Sequence, residues 1–268
     1  MHIAFITRTQ AKTKEDLDKS EDLKKLLKEV ASVQGHYVKS YILANFENES
    51  YIADGSMSLS NKIIKAINPT SPVSINTVIN RIRASAEKPK ALLICSKEVC
   101  LKTENIQTLI QEMQNNPSLL VAGYKFKHDD DKLNNELIGY YSNKNLIAYR
   151  VPWNTCAIWD YELFIDYVQK FDEVALGKYP FGMISVNIDG APVLTEHKGM
   201  EDGLAIAQAT SQTKGIRFKL LSEPPLFWKV DQIDNHRKKL ARKDYVMRNF
   251  MAIRNYSIED LEAAEIKY

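Results

Sequence analysis

The chain has 268 residues, of which 44% are hydrophobic and 26% are charged, and its formal net charge at pH 7 is +2. This composition is typical of a soluble globular protein, and the near balance of charge gives no support to nucleic-acid binding, so we expect no nucleic-acid partner. No apolar run approaches the roughly 20 residues that span a bilayer, and the first residues lead into a short apolar strand without the features of a signal peptide. We therefore expect a cytoplasmic protein, and leave open a peripheral contact with the inner face of the membrane.

The predicted elements alternate between strands and helices through the first half of the chain. Apolar runs predict strands at residues 2–7, 36–44, 91–95 and 119–124. Apolar residues at helical spacing predict helices at 15–32, 58–67, 75–85 and 103–113, and polar composition predicts loops at 45–55 and 125–145. This alternation predicts an α/β fold, a single domain in which helices flank a mostly parallel central sheet.

The ends of the predicted strands carry the first candidate site residues. The continuous apolar run 91–95 is typical of a central strand that is covered on both faces. In open α/β sheets, ligands bind beyond the carboxyl ends of the strands. We therefore expect one crevice to be lined by the polar residues at these ends, which are Thr7, Arg8, Asn45, Ser96, Lys97 and Glu98.

Carboxylates stand at two positions where a fold would hold them rigidly. Glu98 follows a central strand and is a candidate ligand for a divalent metal, with a solvated strand end as the alternative. Glu201 and Asp202 begin a predicted helix, where the helix dipole favours negative charge and capping alone would account for them. One of the two could instead serve as a general base, and Asp202 is the better candidate.

Two histidines and the residues around them give further candidates. His236 lies on the inward face of a late amphipathic helix, where a buried core histidine is the usual interpretation and a metal ligand is the alternative. The basic stretch from Arg237 to Arg248 could meet phosphates or an anionic membrane, although a solvated helix face also explains it. The run His128-Asp-Asp-Asp131 resembles a metal cluster but is predicted to be a surface loop.

Trp153 and Asn154 are candidates for shaping a sugar pocket. Pro152 beside them predicts an exposed loop before a helix, and an exposed indole ring can stack on a sugar. The alternative is ordinary packing of an aromatic side chain in the core.

Three segments in this order resemble the family 2-like glycosyltransferases of the GT-A fold. Residues 76–94 resemble the helix and strand that lead to the Asp-x-Asp motif of that family, and 149–155 with 171–173 resemble its acceptor-side half. Met200-Glu-Asp-Gly-Leu204 resembles its Glu-Asp motif. The resemblance implies a GT-A-like domain at 1–240, with a Rossmann-like nucleotide-sugar half at 1–124 and an acceptor half at 125–240, followed by a helical extension at 241–268.

The resemblance also implies an activity and a role for each candidate. It implies inverting transfer of a sugar from a UDP- or GDP-linked donor to a glycan or a lipid-linked acceptor. Asp202, with Glu201 beside it, would provide the catalytic base, and Glu98 and His236 would hold Mg²⁺ or Mn²⁺. The donor and the acceptor would be bound by Thr7, Arg8, Asn45, Arg81, Ser96, Lys97, Trp153 and Asn154.

This chain departs from the family where the Asp-x-Asp motif is expected, because it has Ser96-Lys97-Glu98 there. A neutral serine replaces the first carboxylate, and Lys97 could contact the diphosphate or partly replace the metal. The departure keeps a second hypothesis open, that of a non-catalytic GT-A-like protein that binds a nucleotide or a glycan. A nucleotidyltransferase ranks third, because residues 7–13 contain basic residues but lack the glycine of a phosphate-binding loop.

Overall fold

The apolar runs of the sequence lie side by side in a central sheet. The computed structural model describes residues 1–45, 51–52, 61–65, 72–173 and 183–267. The strands within these ranges are β1 (His2–Arg8), β2 (Tyr37–Ala44), β3 (Tyr51–Ile52), β4 (Asn61–Lys65), β5 (Ala91–Cys95), β6 (Leu119–Lys127), β7 (Cys156–Asp160), β8 (Met183–Ile188), β9 (Ala191–Glu196), β10 (Arg217–Phe227) and β11 (Glu265–Ile266).

The central sheet has the order β11-β10-β6-β7-β5-β1-β2-β4-β3, and β8 pairs with β9 in a separate hairpin. The pairs β1–β2, β1–β5, β2–β4, β6–β10 and β10–β11 are parallel. The strand β7 runs antiparallel between β5 and β6. The predicted α/β fold with a mostly parallel central sheet is therefore confirmed.

Helices cover the sheet and bury its apolar residues. They are α1 (Lys14–Asp18), α2 (Glu21–Ala31), α3 (Pro72–Ala84), α4 (Thr103–Asn115), α5 (Asp131–Ser142), α6 (Tyr161–Tyr167), α7 (Glu201–Gln212), α8 (Ile233–Arg254) and α9 (Ile258–Ala264). Every residue of β5 is buried, as expected for a strand that is covered on both faces. In the described residues, no helix is both long enough and apolar enough to cross a membrane.

Four predicted elements differ from the structure. The single helix predicted at 15–32 is two helices, because the Thr13–Asp16 capping box starts α1 and a second helix begins at Glu21. The helix predicted at 58–67 is wrong at 61–65, which form β4 and pair with β2. Paired β-branched residues, Ile63 and Ile64, favour a strand there. Residues 53–60 and 66–71 lie outside the described residues.

The loop predicted at 125–145 is also wrong. β6 continues to Lys127, and α5 follows after Asp130, whose carboxylate accepts a hydrogen bond from the backbone N–H of Leu133. Leu133 and Leu137, spaced one helical turn apart, are buried while most of the helix is polar. Because most of its residues are polar, this short amphipathic helix is not recognisable from composition. Likewise, Tyr51–Ile52 forms a short strand inside the loop predicted at 45–55.

The C-terminal part of the chain is joined to the rest through α8 and β11. The helix α8 runs without a break through residue 240, where the sequence placed a boundary, and it packs against α7. β11 adds a parallel strand beside β10. As a result, residues of α8 lie next to the start of α7.

Candidate functional site

The site forms where the carboxyl ends of β1 and β5 approach the start of α7. Arg8 ends β1, and its Nη2 donates a hydrogen bond of 3.3 Å to the Ser96 hydroxyl just after β5. The backbone N–H of Ser96 donates to the carbonyl of Thr155, at 2.9 Å. Arg8 is also close enough to Glu201 for its charge to lower the pKa of that carboxyl. Arg8 therefore links the strand ends to the Glu-Asp pair.

The Asp202 carboxylate is fixed by backbone donors from two segments. Its Oδ2 accepts the N–H of Asn154 and its Oδ1 accepts the N–H of Gly203, both at 2.8 Å. The residue is only 4% exposed. Each carboxylate oxygen keeps a further lone pair that can accept a proton or another hydrogen bond.

Glu201 is buried beside Asp202. Burial, and then the negative charge of Asp202, raise the pKa of Glu201, while Arg8 and Lys243 oppose that rise. The two carboxylates therefore have different environments: Asp202 accepts two backbone hydrogen bonds, and Glu201 is disfavoured as an anion.

Two lysines of α8 lie close to Glu201. The ammonium of Lys243 lies 3.7 Å from the ring centroid of Trp153, and that of Lys239 lies 4.7 Å from the ring centroid of Trp228. Burial lowers the pKa of both lysines, that of Lys239 to about 7, and the charge of Lys243 lowers the pKa of Lys239 further. The charge of Arg8 lowers both values further. We call Arg8, Lys239 and Lys243 the basic cluster.

Trp153 does not lie in an exposed loop as predicted, because it is 2% exposed and belongs to the core. Its Nε1 donates a hydrogen bond to the carbonyl of Ala148, and its ring stacks on that of Phe126 at 5.9 Å. The Trp153 ring therefore contacts the ammonium group of Lys243 from the interior of the protein. The neighbouring Asn154 is also buried: its Oδ1 accepts from Trp159, and its Nδ2 has no partner in the described part of the chain.

His236 is buried on the inward face of α8, as its position in the sequence predicts. Its ring packs against Trp228 and edge-on against His128, at centroid distances of 4.3 and 4.8 Å. Burial lowers the pKa of His236 to about 3, and the charges of Lys239, His128 and Lys243 add to the effect. The imidazole is therefore neutral at pH 7.

The residues around His236 and Glu98 do not fit a bound Mg²⁺ or Mn²⁺. These ions prefer several oxygen ligands, whereas His236 faces an indole, another imidazole and two ammonium groups. The described residues contain no group of three or more His, Cys, Asp and Glu side chains that could hold a metal. Glu98 is half-buried, and its backbone carbonyl accepts from Lys229. The positive charges of the basic cluster would also repel a dication at this site.

The remaining predicted residues lie along the strand ends or farther out. Thr7 is buried in β1, and its hydroxyl has no hydrogen-bond partner among the described residues. Asn45 follows β2 and donates its backbone N–H to the carbonyl of Ala11. Lys97 is half-buried after β5, and Arg81 lies on α3, which packs against β2.

The sequence places Lys239 and Lys243 in a basic stretch that could meet phosphates, and Trp228 among the aromatic residues that could stack on a sugar, but it does not predict that the three lie together. The spacing of His236, Lys239 and Lys243 is three and then four residues, which places all three on one face of a helix. That spacing was a usable signal. No pattern in the sequence pairs this face with Trp228, which reaches it only because residues after β10 return beside Val99.

Comparisons with known proteins give matches in structure. No protein-family model matches the chain, and no curated protein matches it in sequence. The structure is similar to the mannosyltransferase PcManGT from Pyrobaculum calidifontis in complex with GDP-Man and Mn²⁺, with a TM-score of 0.60 and 10% identity over 97% of this chain and 68% of that chain. It is also similar to S. aureus TarS 1–349, with a TM-score of 0.51 and 11% identity over 98% and 77% of the two chains. For TarS 1–349 in complex with UDP, the TM-score is 0.52 and the identity 14%, over 98% and 68%. The chain therefore shares the fold of these proteins.

Proposed function

We propose that the protein is an inverting glycosyltransferase that moves a sugar, of the hexose class, from a UDP- or GDP-linked donor to an acceptor hydroxyl. The observation that carries the proposal is the Asp202 carboxylate, which is held by two backbone donors next to a cluster of buried cations. A base and a site for an anionic leaving group are the two parts that such a transfer needs. The ligands bound in the similar structures, GDP-Man and UDP, agree with this choice of donor.

The reaction is a single displacement at the anomeric carbon. Asp202 accepts the proton of the acceptor hydroxyl while the acceptor oxygen forms a bond to that carbon. The bond between the carbon and the diphosphate oxygen breaks, and its electron pair leaves with the nucleoside diphosphate. Attack from the side opposite the leaving group inverts the configuration of the carbon.

The other candidate residues have roles around this centre. Thr7, Arg8 and Asn45 lie at or next to the strand ends and would contact the nucleotide, together with Ser96, Lys97 and Arg81. The free amide donor of Asn154 would bind a sugar hydroxyl close to Asp202. Trp153 contributes indirectly, because its ring holds Lys243 in position.

The sequence favours Mg²⁺ or Mn²⁺ at Glu98 and His236, and the Mn²⁺ named with the similar mannosyltransferase favours a metal for that protein. The residues that the structure describes do not supply such a site. We therefore assign no step to a metal. A glycan or a lipid-linked acceptor and a peripheral membrane contact of a cytoplasmic enzyme remain predictions from the sequence.

The second candidate is a GT-A-like protein that binds a nucleotide or a glycan without catalysis. The neutral Ser96 in place of the family's first carboxylate favours it. Donor turnover distinguishes the two hypotheses, since only an enzyme releases free UDP or GDP from a donor.

The test is to compare donor turnover and nucleotide binding in the wild type and in Asp202→Asn. The amide is nearly isosteric with the carboxylate but is not a base, so we expect transfer to fall by about 10²-fold or more while UDP or GDP affinity stays within about threefold. Asp231→Asn, at an exposed position, is the matched control and should retain full turnover. Loss of nucleotide binding in a folded Asp202→Asn protein would contradict the base assignment. Nucleotide binding by a wild type that turns over no donor would favour the non-catalytic alternative.

A further inference from the structure

The lysines of the basic cluster are held by aromatic rings rather than by acids. Among the described residues, neither Lys239 nor Lys243 has a carboxylate within salt-bridge distance, and the only hydrogen bond of Lys243 goes to the sulfur of Met200 at 3.8 Å. An aromatic face positions an ammonium group without neutralising its charge. The cluster therefore keeps positive charge available inside a largely buried site.

The cluster lies among both cationic and acidic side chains. The cationic side chains are those of Arg8, Lys239 and Lys243, with Arg242 behind them on α8. The acidic side chains facing them are Glu201 and Asp202, with Glu196 near Arg242, and burial and the charge of Asp202 raise the pKa of Glu201. Because neither lysine has a carboxylate within salt-bridge distance in the described part of the chain, and buried charge that lacks a close counterion is costly, this arrangement is typical of a site that an anion completes.

The position of the cluster identifies the kind of anion. Arg8 donates a hydrogen bond to Ser96 just after β5, at the strand ends where ligands of α/β sheets bind. Lys243 lies close enough to Asp202 for the charge of Asp202 to raise the pKa of Lys243. A diphosphate bound here would have its leaving oxygen next to the cations and the anomeric carbon toward the base. A bound diphosphate would favour the protonated form of Lys239, whose pKa is lowered to about 7, and would so add its charge to those of Arg8 and Lys243.

On the basis of the proposed function, we infer that Arg8, Lys239 and Lys243 together neutralise the departing nucleoside diphosphate, and that the protein transfers sugar without a divalent cation. As the bond between the anomeric carbon and the diphosphate oxygen breaks, the electron pair moves onto that oxygen. The ammonium and guanidinium groups stabilise the new negative charge, and the proton of the acceptor goes to Asp202. These steps account for every atom and electron pair, and no further reactant is needed.

The first test measures diphosphate binding with inorganic pyrophosphate, which lacks both the base and the sugar. Calorimetric titration is carried out in EDTA on the wild type, Lys239→Gln, Lys243→Gln and the control Lys238→Gln. Lys238 is adjacent to Lys239 on α8 but about 100° away around the helix. We expect pyrophosphate to bind the wild type and Lys238→Gln alike, and its affinity to fall by about tenfold or more in each of the other variants.

The second test measures donor turnover in EDTA and in Mn²⁺. Equal turnover in both, together with lysine-dependent pyrophosphate binding, is the result expected. Pyrophosphate binding or turnover that requires Mn²⁺ and ignores both lysines would overturn the inference and leave the proposed function standing. Lysine-dependent binding of pyrophosphate with no turnover of any donor would instead contradict the proposed function. Thermal unfolding verifies that each variant is folded. If Lys243→Gln does not fold because Lys243 is buried, the result for Lys239→Gln, at a half-buried position, decides the test.

Discussion

The Asp202 carboxylate owes its position to the backbone of a distant segment. The Asn154 N–H that binds it lies just before β7, and the indole of Trp159 on that strand holds the Asn154 side chain at 2.9 Å. Its orientation therefore depends on the central sheet as well as on the helix that it begins. A base held in this way does not have to be ordered when the acceptor binds, which lowers the entropic cost of reaching the reactive geometry.

His236 gives a pH dependence of stability. The pKa of His236 is lowered to about 3 in the folded protein, against about 6.5 in an unfolded chain, so the unfolded state binds the extra proton between these values. The stability that this group contributes is fully present above pH 6.5 and is lost as the pH falls toward 3. Burial is the main cause; Lys239, Lys243 and His128 face the ring and add to it, and Trp228 covers it.

We predict that His236→Gln weakens this acid sensitivity. Between pH 6.5 and 4.5, the free energy of unfolding of the wild type should fall by about 1.4 kcal/mol per pH unit more than that of the variant. Urea unfolding at a series of pH values measures the difference. Equal slopes for the two proteins would show that the imidazole is not held neutral by its surroundings.

At the scale of the elements, a close approach between β6 and the segment before β7 sets the position of Asn154. A Cβ added at Gly123 of β6 would lie 2.8 Å from the Cβ of Pro152 and 3.0 Å from the backbone carbonyl oxygen of Cys156. Neither neighbour is the flexible end of a side chain. The strand can therefore pack against this segment only because residue 123 has no side chain.

We predict that Gly123→Ala destabilises the protein by about 1–3 kcal/mol and lowers turnover, because the segment that carries Pro152 and Asn154 must shift. Gly139→Ala is the matched control: residue 139 lies in α5 with open space around it, so alanine there should leave stability unchanged or raise it by up to about 1 kcal/mol. Denaturant unfolding and a turnover assay compare the two variants. A neutral Gly123→Ala would contradict the packing argument.

The elements also show what periodicity can and cannot predict. The strands at 91–95 and 119–127 and the helices at 72–84 and 103–115 were predictable because their apolar residues are continuous or regularly spaced. The helix α5 was missed because only Leu133 and Leu137 are buried in it. At β4 the sequence predicts a helix, because a short segment with an apolar pair, Ile63 and Ile64, fits both periods.

At the scale of the whole molecule, the fold remains recognisable where sequence identity with similar structures is only 10–14%. The alternation of strands and helices was enough to predict it. The site was predictable where residues follow strands or begin a helix, as Arg8, Ser96 and Asp202 do. The roles of Lys239 and Lys243 depend on how α8 packs across the start of α7, which is a tertiary contact that no local pattern specifies.

Only part of the basic stretch of α8 faces the candidate site. Arg237 pairs with Glu136 and Asp189, Arg242 donates to Thr195, and Arg248 pairs with Asp244. Lys239 and Lys243 point into the candidate site. Most of this charge therefore acts within the protein, which weakens the argument for a membrane contact from charge alone.

The most direct test of a nucleotide-sugar transferase is calorimetric titration of the wild type with UDP and with GDP, each in EDTA and in Mn²⁺. We predict that one of the two nucleotides binds with a stoichiometry of about one, with similar affinity in both buffers, and that Glu98→Ala leaves the binding unchanged. The preferred nucleotide would identify the base of the donor. Failure of both nucleotides to bind in either buffer would contradict the account, because the basic cluster and the strand ends would then not form a site for a nucleoside diphosphate.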